Sequence, residues 1–222
     1  MENEIAQAAT EPGFLQALAT FMDEGGIFMW IIFFVWTMGL AISVERFKSL
    51  ISYDLDGSKL MALIRTNVLN NNVKDAIGAC SNSNALLPQV LRSGLKRANQ
   101  EKEQIKDAID ATIMEVAPRV EKRMNYLALV ANISTLVGLL GTIYGLIQSF
   151  AAVAGADPSM KAKLLALGIS KAMNTTALGL ISAISILVIH SFLTSKGEKI
   201  LNDLEEYSIK IIDLLGTQRK AS

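Results

Sequence analysis

Two stretches of this chain set small and hydroxyl-bearing residues at helical spacing inside runs that carry no charge. In the first, Gly141, Thr142, Gly145 and Ser149 follow Gly138 by three, four, seven and eleven residues, which lays all five along one helix face. In the second, Thr175, Gly179 and Ser182 share a face, with Thr176 and Ala183 one position around and Asn174 beside them. The chemistry open to such faces is hydrogen bonding. A threonine hydroxyl donates and accepts, so it can hold water or orient an acid, but it does not titrate. The residues themselves leave two readings. Ser and Thr bond back to the carbonyl four residues earlier or join helices, and Gly141-x-x-x-Gly145 permits close backbone approach in lipid. Alternatively, polar groups in a membrane face a bundle interior or a water path.

Other chemistry is missing from the sequence. There is no nucleophile–base set, no paired carboxylates, no phosphate loop and no haem motif, so no enzyme is expected. The lone Cys80 cannot close an internal disulfide, and no CxxC or Cys/His cluster offers a metal site. Neither a cofactor nor a nucleic-acid partner is expected.

The elements that position the two faces are apolar helices. Residues 126–155 run for thirty positions without a charged side chain, Gly25–Val44 for twenty and Ala172–Ser195 for twenty-four. At about 1.5 Å per residue, roughly twenty apolar residues cross the hydrocarbon layer. A composition of 51% hydrophobic, 19% charged and 6% aromatic residues agrees with a membrane protein. The chain is therefore read as an all-α integral membrane protein with three transmembrane helices and long cytoplasmic helical extensions. Its divisions are an outer segment 1–24, spans 25–45, 126–155 and 164–195, a cytoplasmic region 46–125, a short turn 156–163 and a cytoplasmic C-terminal helix 196–222. Basic residues set the orientation. None precedes Arg46, whereas thirteen Lys and Arg lie between residues 46 and 123, which puts that segment and the C-terminus inside and the N-terminus outside. No cleaved leader is expected, because a basic n-region is missing and the apolar run exceeds an h-region.

Residues 14–22 read either as a short amphipathic helix ended at Gly25-Gly26 or as a loose tail. The first span, IFMWIIFFVW, reads as lipid-facing, closed by Glu45 and Arg46 with their charged heads in water. In the cytoplasmic region, Leu60 to Val68 suggests one helix and Val73–Ala79 a second, and SNSNALLP reads as a turn with a proline stop. From Leu91 to Val120 the apolar spacing predicts a helix that runs on into the second span, kinked at Pro118. Asp157 and Pro158 suit the start of the third helix. His190, the single histidine, is of the type that titrates near neutral pH; it reads as a plain interfacial residue or as a proton-handling one.

At Gly138-Leu-Leu-Gly-Thr-Ile-Tyr-Gly-Leu the sequence resembles the MotA/TolQ/ExbB proton-channel family, whose second span carries a GLLGTVWGI-like motif. GISKAMNTTALGLISAISI, from Gly168, is similar to that family's third-span pattern GIxEALxxTAxGLxxAIPA. Three spans rather than four make it look closest to the TolQ/ExbB branch. The resemblance implies a homopentamer in a bacterial inner membrane around single-span TolR- or ExbD-like partners, proton flow that drives force across the envelope, and a third, envelope-spanning component. It places the two pore threonines on Thr142 and Thr176. No Asp or Glu lies within the uncharged runs, so a partner must supply the membrane carboxylate. Thr175, Asn174 and Ser182 stand beside these positions as modulators. Two positions depart from the pattern. Lys171 replaces the usual Glu, either snorkelling to the outer surface or facing an acid, and Ser185 replaces Pro. Three functions follow: a proton-driven stator subunit, a scaffold of the same architecture that conducts nothing, and a transporter permease subunit. The last is disfavoured by the lack of an internal repeat. The process driven, and H+ against Na+, are not written in the residues.

Overall fold

The computed structural model describes residues 14–81 and 85–221, and every regular element among them is an α-helix. In chain order these are α1 (Phe14–Gly25), α2 (Ile27–Tyr53), α3 (Gly57–Leu69), α4 (Val73–Ala79), α5 (Leu86–Leu95), α6 (Lys102–Glu121), α7 (Met124–Ala154) and α8 (Pro158–Ala221). Three runs, within Ile27–Leu69, Lys102–Ala154 and Pro158–Gln218, are long and apolar enough to cross a membrane. Only 22–33% of their most apolar windows is buried within the molecule. Exposed apolar surface on that scale calls for lipid or protein as neighbour, not water.

Contacts divide the described chain into two compact units. The first takes the residues up to Ile42 together with Tyr126–Ile189, and the second takes Ser43–Asn125 together with the residues from His190 onward.

In the first unit, Met22 of α1 is buried with Met29, Ile32 and Leu178, and Phe21 and Val137 pack against them. This apolar contact decides between the two readings of residues 14–22: the segment is a helix, extended to Gly25. Gly26, at φ +72°, makes the break before α2, a backbone conformation that glycine adopts without a Cβ clash. Bulky residues of α7, Leu139, Leu140, Ile143 and Ile147, are exposed, opposite the glycine face. The indole N–H of Trp36 donates to Ser185 Oγ at 2.8 Å, and Ser185 donates to the Ser182 carbonyl at 2.8 Å.

In the second unit, apolar residues at helical spacing bury Ile64 and Val68 of α3, Leu91 and Leu95 of α5, and Ile105, Ile109 and Val120 of α6. Asp56 caps α3 by accepting from the Ser58 N–H.

Several boundaries differ from the sequence reading. Pro88 does not stop a helix; it sits in the first turn of α5, where the missing N–H costs no intrahelical bond. The helix expected from Leu91 into the second span is broken twice. A turn over residues 96–101 separates α5 from α6, whose start is fixed by the Gln104 side chain accepting from the Glu101 N–H. The second break falls at Lys122-Arg123 and not at Pro118, which α6 accommodates; Arg123 takes φ +62°. The third helix starts at Pro158, so the turn before it covers only residues 155–157. From there α8 continues for 64 residues, and the tail expected as a separate C-terminal helix is its uninterrupted end. Ser185 contributes to that continuity, since proline at this point would remove a hydrogen bond and bend the helix.

Candidate ion-pathway site

The hairpin of α7 and α8 is held together by backbone proximity. A Cβ added to Gly138 would stand 3.2 Å from the Gly179 Cα and from the Thr175 carbonyl oxygen. One added to Gly179 would come within 2.8 Å of the Ser134 carbonyl oxygen, and one on Gly145 within 2.9 Å of the Ala172 Cβ. At Gly141 the neighbour would be Thr175 Oγ1, at 2.8 Å. Only residues without side chains allow two helices this close, and the proximity brings hydroxyls of one helix onto carbonyls of the other.

Three threonines meet there. Thr142 and Thr176 make a short hydroxyl–hydroxyl contact. Thr176 Oγ1 donates to the Gly138 carbonyl at 3.0 Å; Thr142 Oγ1 lies 3.2 Å from the same oxygen and 3.3 Å from the Ala172 carbonyl. Thr175 donates to the Ala172 carbonyl at 2.7 Å. Each hydroxyl has one proton to give and two lone pairs to offer, so after donating to a carbonyl it remains an acceptor. Thr142 and Thr176 are half-buried. Thr175 and Ser182 differ: both are buried, and Ser182 donates to the Gly179 carbonyl at 2.9 Å within its own helix. Asn174 is half-buried. The arrangement can accept a hydrogen bond from water or a protonated acid; it cannot itself store a proton.

Lys171 is exposed and stands apart from this cluster. Its stem runs beside Gly26, where an added Cβ would meet Lys171 Cε at 3.9 Å, level with the break that opens the first apolar helix. His190 belongs to the second unit. Cys80, in the same unit, is buried, and burial pushes its thiol up to about 11, which suits a packing residue and not a reactive one.

One functional arrangement had no sequence signal. Arg46 does not reach water at the end of the first span, as the reading of that boundary expected; it is buried at 2% exposure, and α2 passes on to Tyr53. Its Nη2 donates to the carbonyls of Arg119 at 3.0 Å and Val120 at 2.7 Å. These carbonyls close α6, just before Arg123 turns the chain into α7, and a helix end leaves its last carbonyls without intrahelical partners. Burial lowers the Arg46 pKa, while Tyr53 and Glu45 act in the opposite sense. Glu45 pairs with Arg123. An arginine beside an apolar run reads as a boundary marker; which carbonyls it caps depends on residues more than seventy positions away.

The chain matches the model of the MotA/TolQ/ExbB proton channel family over residues 82–206, more than half of its length. The chain belongs to that family. It is 31% identical over 99 residues to the Tol-Pal system protein TolQ of Haemophilus influenzae, a match covering 45% of this chain and 43% of that protein. It is 28% identical over 173 residues to the biopolymer transport protein exbB1 of Vibrio cholerae, covering 77% and 76% of the two chains. The ExbB of Aquifex aeolicus is 34% identical over 91 residues, covering 41% and 61%. The chain thus spans less than half of the matched TolQ and about three quarters of exbB1. These relatives place it in the TolQ/ExbB branch, and with three apolar helices it is a multi-pass inner-membrane protein.

Proposed function

We propose that this chain is the proton-conducting stator subunit of an inner-membrane complex that uses the proton motive force to drive force or motion across the cell envelope. The observation that carries the reading is the Thr142–Thr176 contact, which joins the two helices at the two positions that the motif resemblance assigns to the pore. The family match supports conduction, and the absence of Asp and Glu from the uncharged runs gives the carboxylate to a partner. That partner is a single-span TolR- or ExbD-like protein with a membrane Asp, held inside a pentamer of this chain, with an envelope-spanning third component as load. The N-terminus lies outside. The second unit is cytoplasmic, as its basic residues favour. In this arrangement the spare lone pairs of Thr142 and Thr176 receive a hydrogen bond from the partner's protonated acid or from water, and Gly138, Gly141, Gly145 and Gly179 hold the two helices at the required separation. Asn174, Thr175 and Ser182 act on the path indirectly, through the backbone that carries the two threonines.

A second reading, a scaffold of the same architecture that conducts nothing, is favoured by one observation: all three threonine hydroxyls are satisfied within the hairpin itself. Proton flux in liposomes containing chain and partner separates the two. Thr142→Val and Thr176→Val keep shape and remove the hydroxyl; the stator reading expects each to abolish flux while assembly persists. Full flux in both variants would return the threonines to a packing role, and absence of flux in the unaltered complex would leave the scaffold. Repeating the measurement with Na+ omitted assigns the ion.

A further inference from the structure

Within the second unit, the end of α6, the start of α7 and one side of α8 line a half-open cavity of about 360 Å³. Its lining includes His190, Asn125, Thr194, Glu121 and Glu198. Thr194 Oγ1 is buried and has no hydrogen-bond partner among the described residues. A buried hydroxyl left unpaired is unfavourable, so the cavity suits contents that hydrogen-bond. It is roomy enough for a cluster of waters, since one water needs only about 10–15 Å³ of such space. Both charged groups in the lining are acidic, which attracts cations and repels anions. A metal ion lacks ligands, because no group of three His, Cys, Asp or Glu side chains is arranged to hold one among the described residues.

We infer that this cavity is a hydrated proton-release site on the cytoplasmic side, in which His190 takes up protons that have crossed the membrane. The inference rests on the stator reading and its orientation. His190 lies fourteen residues after Thr176 in the unbroken α8, at the inner end of the third apolar run. The cycle is balanced by protons alone. Neutral imidazole accepts a proton from water and becomes imidazolium; it then gives that proton to Glu121, Glu198 or cytoplasmic water and returns to the neutral form. Thr194 and Asn125 hold the waters that connect these groups. Thr142 and Thr176, which do not titrate, have no such role.

Two measurements on the full-length chain test this. The chain has one histidine, so ¹⁵N-imidazole labelling gives one residue's signal. In nanodiscs that signal should change between neutral and protonated forms as the pH is varied, in exchange with water. A signal fixed in one form at every pH at which the complex conducts would overturn the proposal. In liposomes with the partner present, His190→Gln should lower proton flux several-fold and flatten its dependence on cytoplasmic-side pH, with crosslinked assembly unchanged, and the titratable His190→Asp should recover part of both. Flux and pH dependence in His190→Gln equal to the unaltered complex would make His190 a plain interfacial residue. Should the unaltered complex fail to conduct, or should Thr142→Val leave flux unchanged, the stator reading is what fails. In the first case no proton reaches the cavity and the release site falls with the stator; in the second, flux through His190→Gln still decides the cavity.

Discussion

Gly138 in the first unit and Val120 in the second each offer a main-chain carbonyl to side-chain donors, and the two carbonyls differ in what they already hold. Gly138 lies mid-helix, where its carbonyl takes the N–H four residues on, so the Thr176 hydroxyl occupies the surplus lone pair, with Thr142 Oγ1 3.2 Å from the same oxygen. Val120 and Arg119 close α6, and Arg46 supplies hydrogen bonds their helix cannot. The same kind of bond is therefore dispensable for folding in one place and required in the other. In the first unit the polar side chains add to a backbone that is complete without them, which is what the proposed ion-path role requires. In the second a buried charge is committed to architecture.

The sharpest break of this comparison is Arg46→Leu. It strands the buried Val120 carbonyl and the partly buried Arg119 carbonyl and should destabilise the protein by about 3 kcal/mol, since hydrogen bonds to charged groups contribute about 1.5–3 kcal/mol each. Amide exchange in α6 and the start of α7 should rise first, and Arg46→Lys should recover part of the loss. Unchanged exchange in Arg46→Leu would mean water caps α6 equally well.

Backbone contact comes next in size. Gly179→Ala puts a Cβ against the Ser134 carbonyl and should cost about 1–3 kcal/mol as the hairpin opens. Gly78→Ala, in α4, meets open space and should stabilise by about 0.5–1 kcal/mol through helix propensity. Thermal unfolding in detergent compares the two; equal effects would remove the distinction between a packed glycine and a free one. Thr142→Val, which silences flux under the proposed function, should shift stability by less than about 1 kcal/mol, and a loss as large as that of Arg46→Leu would make the hydroxyl structural.

The smallest effect is expected at Lys171. Lys171 is exposed with its stem beside Gly26, so on the snorkelling reading Lys171→Met should leave the pH profile of activity where it was. An upward shift, larger still in Lys171→Glu, would instead place the charge beside the partner's carboxylate, whose ionised form it would have favoured.

Much of this molecule follows from sequence because the forces concerned are local or generic. Three uncharged runs, glycines at three- and four-residue intervals, and Asp-Pro ahead of α8 determined the helices, the small faces and the hairpin without reference to distant residues. The resemblance to the family's motifs, and not the spacing, brought Thr142 and Thr176 into view together. Boundaries were less legible. Pro88 and Pro118 each fit a stop as well as a tolerated position, and only packing chose; α8 runs through residue 196 because nothing local ends it. The tertiary structure alone decided that Arg46 is buried, that Trp36 finds Ser185, and that His190 shares a cavity with Glu121. Each is a contact between residues some seventy or more positions apart. A side chain's type states what bonds it can make, but the partner is supplied by whichever backbone the fold carries past it.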